Sequence, residues 1–128
     1  MKDNVVITIS SLVSIILTTF HITSDTALGI DTPGLGMLFV FVPIVVVFLY
    51  GTLVLAGRPA GYIIILLGSL LGLYVAYLHL GSARIGERAI ASGGYFFIWT
   101  LVAMATTSLF CVILAARGLW RLQRGKPA

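Results

Sequence analysis

The sequence predicts an all-α integral membrane protein, an antiparallel bundle of four transmembrane helices with both termini in the cytoplasm. Of its 128 residues, 59% are hydrophobic and only 9% are charged. A soluble domain carries about 25% charged residues, because its surface must be solvated. A chain this small cannot bury so much apolar surface in its own core, so lipid is the expected solvent. The apolar residues also form four long runs with basic residues beside their ends.

Each of the four runs is long enough to cross a bilayer as a helix. They comprise about residues 5–22, 35–56, 60–80 and 94–116, and none contains a charged residue. Crossing about 30 Å of hydrocarbon takes about 20 residues at about 1.5 Å per residue. The connections are short, which favours antiparallel neighbours within a single membrane domain, residues 1–128.

The connections have the composition of loops and turns. Residues 23–34 are polar and end in a Pro-Gly turn, and residues 81–93 form the third connection. Residues 57–59, Gly-Arg-Pro, predict a tight turn. Gly57 suits the end of one helix, and Pro59 suits the first turn of the next. We therefore expect the second and third runs to form an antiparallel hairpin.

Basic residues near the helix ends predict the orientation, because cytoplasmic loops are enriched in them. With the N-terminus inside, two basic residues, Arg84 and Arg88, lie on the outer side. Six lie on the inner side: Lys2, Arg58, Arg117, Arg121, Arg124 and Lys126. The size and hydropathy resemble those of small bacterial inner-membrane proteins, so we expect a multi-pass protein of the plasma membrane. No basic face alternates with aromatic residues, which favours lipid headgroups over nucleic acid as the partner.

The first run contains a polar stripe with helical spacing. Its members are Ser10, Ser14, Thr18, His21 and Asp25, at intervals of three or four residues, so they share one helix face. Hydroxyl groups in hydrocarbon seek partners, so this face is expected to point into the bundle. The hydroxyls can also bond back to carbonyls of their own helix.

The third run contains a complementary stripe of small residues that ends in a histidine. Gly68 and Gly72 form a small-xxx-small pair, which allows another helix to approach closely. Ala76 and His79 continue the same face. We therefore expect the first and third helices to pack against each other through these two stripes.

The acid–base groups gather near the outer face in this topology. His21 and His79, the two histidines of the chain, lie near the outward ends of their helices. Three interpretations are open. The histidines can be structural residues that bond to loops. His21, His79 and Asp25 can hold a metal ion, or the two histidines can be axial ligands of a haem. A polar ligand or protons can bind to a site formed by His21, Asp25, His79, Arg84, Glu87 and Arg88.

The sequence contains no catalytic motif strong enough to name a reaction, and its one cysteine, Cys111, lies within an apolar run. An enzyme is therefore the less favoured class. The favoured function is a non-enzymatic subunit or interaction partner of a membrane complex, with a membrane protein or a second copy as partner. The alternative is a ligand-binding or transport protein that uses the outer polar site.

Overall fold

The apolar runs correspond to four helices in the part of the chain that the structure describes. The structure is a computed structural model that describes residues 2–28, 35–80 and 94–125. Its helices are α1 (Lys2–Leu28), α2 (Leu35–Leu53), α3 (Pro59–Leu80) and α4 (Tyr95–Gln123). Three of them, α1, α3 and α4, are long and apolar enough to cross a membrane, and α2 contains a shorter apolar stretch, Phe39–Leu53.

The outer surface of this bundle is apolar on every helix. Large aliphatic and aromatic side chains such as Ile16, Val46, Leu67 and Phe110 are about half exposed or more. Monomeric soluble proteins rarely expose contiguous apolar surface on this scale. The exposed surface and the three long apolar helices together fit a multi-pass membrane protein.

α1 is longer than the first apolar run. Residues 23–28, whose polar composition predicts a loop, are instead the last turns of α1. The hydroxyls of Thr23 and Thr26 donate to the carbonyls of Thr19 and Ile22, both at 2.8 Å, so these side chains bond within the helix. As a result, Asp25 is held on the helix and not on a loop.

The turn between α2 and α3 uses the residues that predict it. α2 ends at Leu53, and the amide of Arg58 donates to the carbonyl of Leu55 at 3.0 Å. Gly57 has a φ of 75°, a left-handed conformation that glycine adopts without steric cost. Pro59 is the first residue of α3, a position where its missing amide hydrogen has no helical partner.

α4 is the central packing element, and it contacts both α1 and α3 over most of its length. Its buried face repeats every three or four residues and includes Phe97, Met104, Cys111 and Gly118. Two apolar clusters fill the interior. One lies around Ile7, Ile65 and Cys111, and the other joins Leu17, Ala76, Phe97, Leu101 and Met104.

The expected contact of α1 with α3 forms only at one end of the two stripes, where His21 and Asp25 meet His79. The expectation is wrong for the serine, threonine and glycine members. On α1, Ser14 is hydrogen-bonded to Ser108 of α4 at 3.1 Å, and Ser10 is only half-buried. Ser11, beside Ser10, is fully buried and lies 2.7 Å from the hydroxyl of Thr52 on α2. Thr18 bonds back to the carbonyl of Ser14 at 2.7 Å. The hydroxyls of α1 therefore find partners on α2, on α4 or on α1 itself.

The glycines of α3 likewise face α2 and α4. A Cβ atom added to Gly68 would lie 2.8 Å from the ring of Phe48 on α2, and one added to Gly72 would lie 2.6 Å from Oγ of Ser108 on α4. Between α1, α2 and α3 there is instead an apolar cavity of about 210 Å³, lined by both glycines and by Thr18. α1 and α3 meet near their two ends, where Tyr62 donates to Asn4 and where His21 faces His79.

Candidate functional site

Three helices bring polar and aromatic side chains together at one end of the bundle. His21 and Asp25 are one turn apart on the buried face of α1. His79 lies in the last turn of α3, and Phe97 lies in the first turn of α4. We call these four residues the histidine cluster. Three of the four, His21, Asp25 and His79, are sequence-predicted site residues.

The rings of the histidine cluster are in direct contact. The ring centroids of His21 and His79 are 5.0 Å apart, and their planes are nearly perpendicular at 85°. Phe97 contacts both imidazoles, with centroid distances of 4.6 Å to His21 and 5.7 Å to His79. The two histidines therefore form one site whose apolar wall is the Phe97 ring.

His79 has a hydrogen bond at one ring nitrogen and lies near a carboxylate with the other. Its Nδ1 lies 2.8 Å from the carbonyl oxygen of Val75, one turn earlier in α3. A carbonyl can only accept, so this contact assigns a proton to Nδ1. Nε2 lies 3.5 Å from Oδ2 of Asp25. A second proton on Nε2 would therefore convert this contact into a pair between an imidazolium and a carboxylate.

His21 differs from His79 in its burial and in its hydrogen bonding. The whole residue is 0% exposed, and neither ring nitrogen has a hydrogen-bond partner among the described residues. The main chain of Phe97 interacts electrostatically with the ring but does not meet hydrogen-bond geometry. An unsatisfied buried polar group costs about 1–3 kcal/mol of stability. Despite this cost, the buried imidazole of His21 provides a ring nitrogen that can accept or donate a proton.

An apolar layer separates the histidine cluster from the rest of the polar interior. Leu17, Ala76, Leu101 and Met104 pack with Phe97 in one cluster. The nearest buried hydroxyl pair along α1, Ser14 and Ser108, is two turns from His21. The histidine cluster therefore lies at one end of the bundle, and apolar side chains separate it from the Ser14–Ser108 pair.

Phe97 is the site residue that sequence reasoning missed. The sequence Tyr95-Phe96-Phe97 is typical of aromatic residues at a membrane interface, and Tyr95 and Phe96 are indeed exposed. Phe97 differs because it lies in phase with Leu101, Met104 and Ser108, the buried positions of α4. That helical phase was the available signal. The other predicted site residues, Arg84, Glu87 and Arg88, lie outside the described residues.

The geometry does not fit a haem held between the two histidines. Axial imidazoles bind iron from opposite faces of a porphyrin. Here the rings of His21 and His79 touch edge to face, and Nε2 of His79 faces Asp25. Within the described ranges, no group of three or more His, Cys, Asp or Glu side chains is arranged to hold a metal ion.

No protein-family model, curated protein or solved structure matches this chain. The histidine cluster must therefore be interpreted from its own geometry and chemistry.

Proposed function

We propose that the chain is a multi-pass protein of the bacterial inner membrane, an antiparallel bundle whose four helices all cross the bilayer and whose termini are cytoplasmic. The contacts between α1 and α3 support four crossings. Asn4 bonds to Tyr62 near the starts of these helices, and His21 faces His79 near their ends. α1 and α3 therefore run in the same direction, and α2 has to return across the bilayer between them.

The proposed orientation follows from charge. Arg58, Arg117, Arg121 and Arg124 lie at the end of the bundle opposite to the histidine cluster, together with the start of α1. Basic residues beside membrane helices are retained on the cytoplasmic side. The histidine cluster is thereby assigned to the outer half of the membrane.

Within this protein, we propose that the histidine cluster is a proton-binding site. The single observation that supports this most strongly is the contact of two imidazoles with each other and of one of them with Asp25, inside an apolar bundle. Ionisable residues within membrane helices are expensive and are typically functional. Histidine is the side chain whose ordinary titration falls nearest neutral pH.

A proton suits this site better than a larger ligand does. The side chains of His21, His79 and Phe97 are in mutual contact, and a proton needs no additional space. The proton would bind at Nε2 of His79, where Asp25 neutralises the new charge. His21, 5.0 Å away between ring centroids, would respond because two imidazolium ions repel each other at this distance. The pair is therefore expected to titrate as a coupled unit.

The test is the protonation of the two histidines in the full chain, reconstituted in lipid nanodiscs. Because the chain has two histidines, ¹⁵N-labelled imidazoles give a spectrum that can be assigned with one variant. Replacing Asp25 with Asn should lower the protonated fraction of His79 at a given pH and change the titration of His21. Asp3→Asn, a change at the opposite end of α1, is the matched control and should alter neither histidine. Titration curves that are the same in wild type and Asp25→Asn would contradict the proposal.

A second candidate function, a non-enzymatic subunit of a membrane complex, is favoured by the lipid-facing side of α2 and α3. A groove of about 320 Å³ there is bordered by Pro43, Val47, Leu67 and Leu71, and the last three are well exposed. Apolar grooves of this kind accept a neighbouring helix by close packing. A photo-crosslinking residue at Val47 should then capture a second copy or another membrane protein, whereas one at Ile16 on α1 should not. Equal crosslinking at both positions would remove this support.

A further inference from the structure

The apolar cavity between α1, α2 and α3 is long and narrow. Its volume is about 210 Å³, and we call it the three-helix cavity. The lining extends from Ile15 to Ile22 on α1, from Val40 to Phe48 on α2 and from Gly68 to Val75 on α3. At about 1.5 Å per residue, each of these intervals is about 10–12 Å long. The cavity shares no residue with the histidine cluster, so an inference about it does not depend on the proposed proton site.

The dimensions of the three-helix cavity fit one extended hydrocarbon chain. A volume of about 210 Å³ over a length of about 10–12 Å gives a width of about 4–5 Å. Carbon atoms in contact are about 3.5–4.0 Å apart, so a single file of methylene groups fills this width. With bonds of about 1.5 Å, an extended chain advances about 1.25 Å per carbon, and about eight to ten carbons match the length. A helix, about 10–12 Å across with its side chains, is too wide.

The chemistry of the lining favours hydrocarbon over water. Thr18 is the one polar residue of the described lining, and its hydroxyl already donates to the carbonyl oxygen of Ser14 at 2.7 Å. A water molecule in a cavity needs about two to four polar partners, which this lining does not provide. An empty void would leave the lining atoms without van der Waals contacts on one side. An alkyl chain provides those contacts.

Packing at one end of the three-helix cavity keeps α2 in place. The ring of Phe48 on α2 lies against Gly68 of α3, where an added Cβ atom would be 2.8 Å from the ring. Phe48 and Ile15 are buried in the same apolar cluster. One turn further along α2, Thr52 is hydrogen-bonded to Ser11 of α1. The cavity is therefore closed at this end by side chains of all three helices.

The three-helix cavity opens sideways to the hydrocarbon of the membrane. Val40 and Leu71 belong to its lining and are 60% and 41% exposed. Ile44 and Leu71 also border the groove on the lipid-facing side of α2 and α3. An acyl chain can therefore enter between these two helices without passing through water.

From this shape, lining and lateral opening we propose that the three-helix cavity binds one acyl chain of a membrane phospholipid, extended along the helices. The bound chain contacts α1, α2 and α3 at the same time, so it belongs to the interior of the bundle. It differs in this respect from the lipids that surround the outer surface, which contact exposed side chains only.

The experiment is solid-state NMR on the full chain in phosphatidylcholine bilayers. The protein is deuterated except for its isoleucine δ-methyl groups, and the acyl chains of the lipid are protonated. Ile15 is only 5% exposed, so acyl protons can reach it through the cavity, and a cross-peak between its methyl group and acyl methylene protons is expected. Ile65 is the matched control. It is 3% exposed, belongs to the same apolar cluster and lies outside the cavity lining, so it should show no such cross-peak.

Filling the cavity with protein provides the second arm of the test. Val75→Phe should remove the acyl cross-peak of Ile15 without lowering the free energy of unfolding, because the ring replaces contacts of the acyl chain. Thr18→Leu, on α1, should weaken the same cross-peak. Val46→Phe, at a lipid-facing position of α2 that is 57% exposed, should leave it unchanged.

Three results would each overturn the proposal. Ile15 without an acyl cross-peak is expected if residues of the chain itself fill the cavity. Cross-peaks of equal intensity at Ile15 and Ile65 are expected if lipid enters the bundle without a defined site. A destabilised Val75→Phe that keeps the Ile15 cross-peak would show that the acyl chain lies elsewhere, since overpacking a filled space is destabilising.

Discussion

His21 and His79 have the same side chain, but their hydrogen-bond partners and their burial differ. His79 has a carbonyl at one ring nitrogen and a carboxylate near the other, whereas His21 is fully buried with no hydrogen-bond partner among the described residues. Of these two environments, only that of His79 provides a hydrogen bond that stabilises the folded state. No hydrogen bond from the described part of the chain offsets the burial of His21, and this favours a functional reason for the residue.

This difference predicts opposite effects of two substitutions. His21→Leu removes a buried polar group that has no hydrogen-bond partner in the described ranges, and it should raise the free energy of unfolding by about 1–3 kcal/mol. His79→Leu removes a neighbour of Asp25 and the hydrogen bond to Val75, and it should lower that free energy by less than the roughly 3–5 kcal/mol typical of a broken buried ion pair.

Reversible unfolding in mixed detergent micelles measures both changes, with the exposed Tyr77→Leu on α3 as a control that should change little. Equal destabilisation by His21→Leu and His79→Leu would mean that His21 has a structural role.

At the scale of the helices, hydroxyl pairs link α1 to its neighbours. Thr52 donates to the carbonyl of Phe48 at 2.8 Å, so Ser11 must donate in its 2.7 Å contact with Thr52. Such interhelical hydrogen bonds in membranes contribute about 0.6 kcal/mol on average. They position α1 more than they stabilise it.

A double-mutant cycle on Ser11 and Thr52 should therefore give a coupling energy of about 0.6 kcal/mol, with an upper limit near 1.7 kcal/mol. Ser11→Ala, Thr52→Val and the combined variant are compared by their free energies of unfolding. Ser10→Ala with Thr52→Val is the matched cycle and should show no coupling, because Ser10 lies one position off the buried face. A coupling energy as large for Ser10 as for Ser11 would contradict the assigned packing.

The helices themselves could be predicted from the sequence, because runs of apolar residues and the Gly57–Pro59 turn are local signals. The neighbours of the polar stripe on α1 and of the glycines on α3 could not be predicted. A stripe at helical spacing shows which face is buried, but a bundle offers each face more than one neighbour, and Ser14 and Gly72 both point to α4. The histidine cluster was partly predictable, since His21 and His79 lie at matching depths. The contribution of Phe97 could be predicted only as a buried position of α4, because helical phase does not show that this face of α4 meets the two histidines.

At the scale of the whole molecule, the proposed topology requires that α2 crosses the membrane. Its described apolar stretch, Phe39–Leu53, is shorter than that of the other helices. If it crosses in the orientation that we propose from charge, the turn at Arg58 and the C-terminus are on the cytoplasmic side, and residues 81–93 are on the outer side.

Labelling with a membrane-impermeant thiol reagent tests this arrangement in intact cells. In a Cys111→Ser background, Arg84→Cys should react from outside, whereas Arg58→Cys and Ala128→Cys should react only after the cells are opened. External labelling of Arg58→Cys would contradict the proposed topology.

Solid-state NMR on the membrane-embedded protein can measure whether His21 and His79 form one site. With ¹³C,¹⁵N-labelled histidine diluted in unlabelled protein, a cross-peak between the two imidazoles can arise only within one chain. Ring centroids 5.0 Å apart predict that this cross-peak builds up at mixing times suited to such distances, and that Asp25→Asn changes its shifts. Two sharp histidine signals with no cross-peak between them, at mixing times that detect other contacts of similar length, would contradict the account.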